Sequence, residues 1–375
     1  MNASSVLIEQ VTSALTLVID PELRKPITEL DMVGDVQGTE ELFSVEIKLT
    51  VSHCPQATQI EQRVQEELTK AFPKATVKVL MAVMSKEELD ALKIKLRGGR
   101  EPKSNPFGVG STTQVFLIGS GKGGVGKSSL TVNLAVELAN QGFDVGVLDA
   151  DIFGFSIPAQ LGTTDRPTRL DDMILPPIAF GVKVISIGMF LPSNEPVAWR
   201  GPMLHKAVEQ FLTEVHWGSL DYLLIDMPPG TGDVAISVGQ LLPNARSIVV
   251  TTPQQAASYV AERSGSASHK IGQEIFGVIE NMSFLAMPDG STLEIFGSGG
   301  GQKVADSLTE YSGKPVSLLA KVPISVALRE GSDNGNPLVI TNPEDPAALE
   351  IAKVALMIAN AKLPATNRTL KVEIA

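Results

Sequence analysis

An α/β fold, with a doubly wound parallel sheet preceded by a small α+β domain, is predicted from three features of this 375-residue sequence. From Gln114 onward, apolar runs at 115–118, 145–148, 182–187, 222–225, 247–250 and 275–279 alternate with stretches of helical spacing. Strands that are apolar along their whole length and separated by helices belong to a parallel sheet covered on both faces. The first run leads through a glycine-rich turn straight into a helical run from Leu130 to Leu138. The first 97 residues follow another pattern: Phe43, Val45, Ile47, Leu49 and Val51 alternate strictly, as in a half-buried strand.

In chain order, residues 4–18 have the apolar spacing of a helix, and Pro55 opens a second helix that runs to Phe72, because proline suits a first helical turn. A strand is expected over 75–83. Residues 98–113 carry Gly98, Gly99, Pro102, Ser104, Pro106, Gly108 and Gly110 without periodicity and read as a linker. The second domain then spans 114–363, closing with a helix over 344–361, and residues 364–375 form a loosely held tail. No internal repeat is seen.

The formal net charge is -11, which argues against a nucleic-acid backbone as partner. The one cysteine, Cys54, rules out an intramolecular disulfide and suits a reducing compartment. The N-terminal residues lack the basic and apolar regions of a signal peptide, and no run approaches the ~20 apolar residues of a membrane helix. A soluble, cytoplasmic protein with no membrane contact is expected.

Gly121, Lys122, Gly123, Gly124, Val125, Gly126, Lys127 and Ser128 fit the pattern G-x-x-x-x-G-K-[ST]. The context, strand before and helix after, is what this loop needs to cradle phosphates. Glycines let backbone N–H groups close around phosphate oxygens, and the following helix adds the positive end of its dipole. ATP with Mg²⁺ is the expected ligand. Lys127 reaches the β- and γ-phosphates, the Ser128 hydroxyl ligates Mg²⁺, and Ser129 completes the cradle. The strand 220–225 ends in Asp226, the placement of a Walker-B acid that holds Mg²⁺. Met227 to Asp233 follows as a loop positioned to sense the γ-phosphate. The strand 145–148 ends in Asp149-Ala150-Asp151, two carboxylates that either orient metal and attacking water or simply cap the loop.

Lys122, early in the loop, makes it a deviant Walker A, and the sequence resembles the ATPases of that class, which include MinD, ParA and the nitrogenase iron protein. That resemblance implies homodimerisation on ATP, with Lys122 crossing to the partner's nucleotide. The loop together with Asp149–Ile152, Trp199–Met203, Asp226–Asp233, Thr251–Gln254 and Glu280–Ser283 resembles, over roughly 107–360 and in order, the Mrp/ApbC family of P-loop iron–sulfur cluster carriers. Asp20–Leu23 and Thr50–Pro55 are similar to the metal–sulfur cluster biosynthesis domain fused to many members. The resemblance implies a weakly turning-over ATP hydrolase that binds iron–sulfur clusters or transfers them to apo iron–sulfur proteins or assembly factors. It also implies that Asp151 positions water and that Asn281 hydrogen-bonds the adenine edge; an amide offers both donor and acceptor, though a capping role for Asn281 stays open.

One departure stands out. The family usually carries Cys-x-x-Cys after Glu-Asn-Met-Ser, and here those two positions hold Met287 and Gly290. Clusters are held by thiolates, so Cys54 is the one thiol available. At a helix start, the dipole is expected to lower its pKa; the other reading is a small buried residue, and His53 beside it reads as incidental. A cluster-free, nucleotide-dependent scaffold or chaperone is therefore an alternative function. A MinD- or ParA-like positioning ATPase lacks both the amphipathic C-terminal helix and the basic surface it needs.

Overall fold

A computed structural model describes residues 3–52, 54–98, 104–108, 110–152, 154–190, 201–230, 232–287 and 289–361. His53, Trp199, Arg200, Thr231 and the tail 364–375 lie outside the described residues. The chain divides into two units.

The first unit contains helix α1 (Ser5–Leu15), strands β1 (Val33–Gly38) and β2 (Leu42–Leu49), helix α2 (Ala57–Ala71), strand β3 (Thr76–Val83) and helix α3 (Lys86–Arg97). The β1-β2 pair is antiparallel and β2-β3 parallel. The alternation seen in the sequence puts Phe43, Val45, Ile47 and Leu49 on the buried face of β2. Leu7, Val11 and Leu15 of α1 and Ile60, Val64 and Leu68 of α2 repeat every four residues and pack into the same core. Helix α3 starts at a reciprocal cap: Ser85 Oγ accepts the Glu88 N–H and Glu88 Oε2 accepts the Ser85 N–H.

This unit also takes in Pro167–Ile178 and Glu214–Gly218, which sequence reading assigned to the second domain. A hairpin of Thr168–Leu170 and Met173–Leu175 sends Leu170, Met173 and Leu175 into the first unit's core. Apolar spacing reports that a segment is buried, not in which core, and three-residue strands are too short to show a period.

In the second unit the elements follow as strand β4 (Gln114–Ser120), helix α4 (Lys127–Asn140), strand β5 (Val145–Asp149), strand β6 (Val182–Ser186), helix α5 (Gly201–Thr213), strand β7 (Tyr222–Asp226), helix α6 (Asp233–Leu241), strand β8 (Arg246–Thr251), helix α7 (Gln255–Lys270) and strand β9 (Glu274–Ala286). Strand β10 (Thr292–Leu293), helix α8 (Gly300–Ser312), strand β11 (Ser317–Ile324), helix α9 (Val326–Asn334) and helix α10 (Pro346–Ala359) complete it. The sheet runs β10-β9-β8-β4-β7-β5-β6, with the two-residue strand Ile178–Ala179 beyond β6 and β11 beside β9. All pairings between β4, β5, β6, β7, β8 and β9 are parallel; the short β10 folds back antiparallel. Every residue of β5, β7 and β8 is buried, as continuous apolar strands require.

The expected linker is shorter than 98–113. Residues from Asn105 belong to the second unit: Phe107 is buried, and Asn105 Nδ2 donates to the Leu241 carbonyl at 2.8 Å. The aromatic and the amide, set among glycines and prolines, seat the segment.

Buried Glu280 fixes the end of the sheet that carries Asn281. Its Oε2 accepts the Gly301 N–H of the first turn of α8 at 2.6 Å, and its Oε1 accepts the Ser283 hydroxyl at 2.6 Å. A carboxylate suits a helix N-terminus. Glu280→Ala is expected to cost roughly 1–3 kcal/mol, since it strands the buried Gly301 N–H, while the Ser283 hydroxyl keeps the Glu280 backbone carbonyl as acceptor. Urea unfolding measures this, and a loss under about 0.5 kcal/mol, the range of an ordinary surface change, would contradict the assignment.

Candidate nucleotide site

The register of the sheet builds the site. Asp226, the last residue of β7, pairs with Ile118 of β4 on one side and with Asp149 of β5 on the other, and Asp149 pairs with Ser186 of β6. The carboxyl ends of parallel strands are where crevices open in such sheets. The loop after β4 turns there into α4, whose N-cap is Gly126 at φ 80°. Only glycine adopts that conformation without strain, and a Cβ at this position would also collide with the Asn281 amide.

Asp226, fully buried, gathers the loop. Its Oδ2 accepts from Lys127 Nζ at 2.6 Å and from the Ser128 hydroxyl at 2.6 Å, and its Oδ1 accepts from the Thr131 hydroxyl at 2.9 Å. Lys127 is itself 6% exposed, so this ion pair is shielded from water. Thr131 escaped the sequence reading. It stands three residues after Ser128, which puts both hydroxyls on one helix face, and that spacing was the signal.

The loop borders a cavity of about 750 Å³ that is also lined by Asp151, Ser156, Gln160, Leu204, Pro228 and Val234. Gly123 and Gly124 have empty space where a side chain would be. Hard oxygens of Ser128 and Asp226 beside a lysine and an open glycine cradle suit a phosphate chain with Mg²⁺. The loop after Asp226 is fastened to the same strand: the Met227 and Gly230 N–H groups donate to the Ile118 and Ser120 carbonyls. Lys122 Nζ donates to Gln254 Oε1 at 3.1 Å.

Asp149 is used differently from Asp226. Its oxygens accept the N–H groups of Asp151, Ser156 and Ile157 and the Ser186 hydroxyl. It thus shapes the loop that presents Asp151, whose Oδ1 accepts the Gly154 N–H at 3.1 Å. Burial, and then the charge of Asp226, push the Asp149 carboxyl up to about 7, against the pull of its backbone donors and Lys127. Ser156 and Ser186 carried no sequence signal; the role of Ser186 follows from strand register alone.

Two further residues singled out in the sequence are Asn281 and Cys54. Asn281, 3% exposed, stands behind the loop, and its Nδ2 donates to the Val125 carbonyl at 2.9 Å. Its amide braces the phosphate loop from behind. Met282 next to it has φ 55°, a left-handed kink inside a strand that turns Asn281 under the loop. The Cys54 thiol is not lowered. Burial pushes it up, aided by the nearby Glu22 and Asp20 carboxylates, and outweighs the Gln56 and Ala57 backbone N–H groups that pull it down. The helix begins only at Ala57, so the dipole acts from farther away than the sequence suggested.

The two residues at the family's cysteine positions sit on the turn between β9 and β10. The Met287 N–H donates to the Ser291 carbonyl, Gly290 has φ +84°, and the Met287 side chain is exposed. Among the described residues, no three His, Cys, Asp or Glu side chains converge in a way that could hold a metal ion. Nor is any helix among them long and apolar enough to cross a membrane.

Fold and loop together define a P-loop NTPase. The family described as NUBPL iron-transfer P-loop NTPase matches residues 111–359, and that described as iron–sulfur cluster assembly protein matches residues 8–80. The iron–sulfur cluster carrier protein of Mycobacterium tuberculosis is 51% identical over 347 residues, 92% of this chain and 91% of the relative. That of Synechocystis is 38% identical over 94% of this chain and 96% of its own length. Among solved structures, a nucleotide-binding protein from Archaeoglobus fulgidus in complex with ADP aligns with TM-score 0.51 and 34% identity over 59% of this chain and 86% of its own. The chain belongs to the iron–sulfur cluster carrier family of P-loop NTPases.

The raised Asp149 carboxyl has a signed consequence. Between its ordinary value near 4 and about 7, the folded chain holds a proton there that the unfolded chain has released, so stability from this group falls as pH rises through that window. In nucleotide-free protein, the stability of wild type relative to Asp149→Asn is expected to fall across this range and level off above it. A difference independent of pH in chemical denaturation would contradict the protonated state.

Proposed function

We propose that this chain is an ATP-hydrolysing carrier that receives an iron–sulfur cluster as cargo and passes it to apoproteins. The observation that carries the reading is the Lys127–Asp226–Ser128 cluster beneath an open glycine cradle, in a chain of this family. Lys127 and Ser128 rest on Asp226 and are free to turn toward a phosphate chain. Lys127 then supplies the cation at the β- and γ-phosphates, while Ser128 and Asp226 offer oxygens to Mg²⁺, directly or through water. Mg²⁺, when bound, neutralises the charge that builds between these phosphates. Asp151, held at the cavity wall by the Asp149-shaped loop, orients the attacking water. Lys122, on the cavity rim at Gln254, is the residue that a second copy would meet, in line with an ATP-dependent homodimer. With Asp151 as the one carboxylate among the described residues that line the cavity, turnover is slow.

The cargo thiol is Cys54. With a single thiolate per chain, a cluster needs ligands from elsewhere: the second copy's cysteine, a small thiol or the receiving protein. The Met287–Gly290 turn gives a second reading specific support, a nucleotide-dependent scaffold that never holds the cluster itself.

Lys127→Ala is expected to abolish ATP hydrolysis and most nucleotide binding. Anaerobic reconstitution with iron and sulfide separates the two readings. The carrier reading expects a labile cluster on full-length protein that is lost in Cys54→Ser. A stoichiometric cluster on Cys54→Ser would overturn the thiol assignment, and full-length protein that never takes up iron yet restores cluster-enzyme activity would establish the scaffold.

A further inference from the structure

The segments 167–178 and 214–218 lie in the first unit, yet each continues directly from an element that borders the nucleotide cavity. The first follows the stretch that carries Asp151, Ser156 and Gln160. The second follows α5, whose Leu204 lines the same cavity. The chain thus leaves the nucleotide site twice and is gripped both times by the unit that carries Cys54.

The grip is specific. Lys93, with a side chain 8% exposed, pairs with Asp171 at 2.9 Å and with Asp90 at 2.7 Å, and Arg97 pairs with Asp172 at 2.7 Å. Asp171 holds the hairpin turn at φ 52°, a conformation that short polar side chains tolerate. The two segments are joined to each other: the Ile174 N–H donates to the Glu214 carbonyl at 2.9 Å, and the His216 N–H to the Ile174 carbonyl at 2.8 Å. Leu170, Met173 and Leu175 are buried in the unit's core, so the hairpin cannot move without disturbing it. Its first strand carries this chain of contacts toward the cysteine. The buried Thr168 donates its hydroxyl to Glu22 Oε1 at 2.6 Å, and Glu22 is one of the two carboxylates whose field reaches the Cys54 sulfur.

We propose that these two segments are straps through which filling of the nucleotide cavity alters the setting of Cys54, with the Thr168–Glu22 hydrogen bond as the final link. A change in the 151–166 stretch when nucleotide binds is carried along the chain to Thr168. Releasing or tightening its bond shifts Glu22 relative to the thiol. The inference rests on the reading of Cys54 as the cargo thiol for its purpose, though not for its test: capture and release of cargo would then follow the nucleotide.

Because Cys54 is the chain's single cysteine, alkylation of full-length protein by iodoacetamide reports on it alone. The rate is measured without nucleotide, with Mg·ADP, and with Mg²⁺ and the non-hydrolysable β,γ-imido analogue of ATP. Wild type is expected to shift between states by roughly three- to tenfold, the span of one hydrogen bond gained or lost. Thr168→Val is expected to lose the shift while still hydrolysing ATP, and Thr168→Ser to keep it. Asp171→Asn, which weakens the hairpin's ion pair from the exposed side, is expected to reduce the shift, and it serves if Thr168→Val does not fold. A wild-type rate indifferent to bound nucleotide, or a full shift in folded Thr168→Val, would overturn the proposal. Cluster uptake by Cys54→Ser would instead overturn the cargo assignment and leave the nucleotide-dependent rate standing.

Discussion

The second unit is organised around a single buried carboxylate. Asp226 lies at the end of a strand with no access to solvent, where an unpaired charge would cost several kcal/mol. It is kept there by three donors from one helix turn, Lys127, Ser128 and Thr131. Those bonds pin the start of α4 to the sheet and fix the loop before it. Once the loop is fixed, the space at Gly126 is claimed by Asn281, and the loop's rear carbonyl is satisfied by the same amide. The negative charge is felt one strand away, where Asp149 holds on to its proton and spends its lone pairs on the Asp151–Ile157 loop. A nucleotide therefore enters a site whose cation and hydroxyl are already assembled on an acid, and binding exchanges partners rather than creating order.

Much of this was legible in the sequence because parallel strands and phosphate loops leave contiguous marks. Six apolar runs became six strands, and the loop lay where its flanking strand and helix required. What stayed hidden depended on register or on long-range packing. Ser186 matters because it lies level with Asp149 across a strand pair. Asn281 was read by its chemistry, which suits a base edge, whereas its bond to the Val125 carbonyl joins segments far apart in the chain. The capping box at Ser85 and Glu88 was written in the sequence and passed over. The hairpin at 168–175 could not have been assigned, since its apolar residues fit either core equally well by pattern.

Cys54 shows how local rules yield to surroundings. A thiol near a helix start reads as activated, yet the helix begins later, the core desolvates the sulfur, and two carboxylates oppose its charge. The resting chain thus presents a subdued thiol. With Met287 and Gly290 at the family's cysteine positions, the second unit has no thiolate of its own.

The central claim, that Asp226 holds Lys127 and Ser128 in reserve for phosphate and Mg²⁺, is tested most directly by calorimetric titration of ADP into wild type and Asp226→Asn, each with and without Mg²⁺. The account predicts that Asp226→Asn binds ADP at least as tightly as wild type when Mg²⁺ is absent, because Lys127 no longer has to leave a buried partner, and that it loses most of the gain Mg²⁺ gives wild type. An undiminished Mg²⁺ gain in Asp226→Asn, together with weaker binding in its absence, would contradict it.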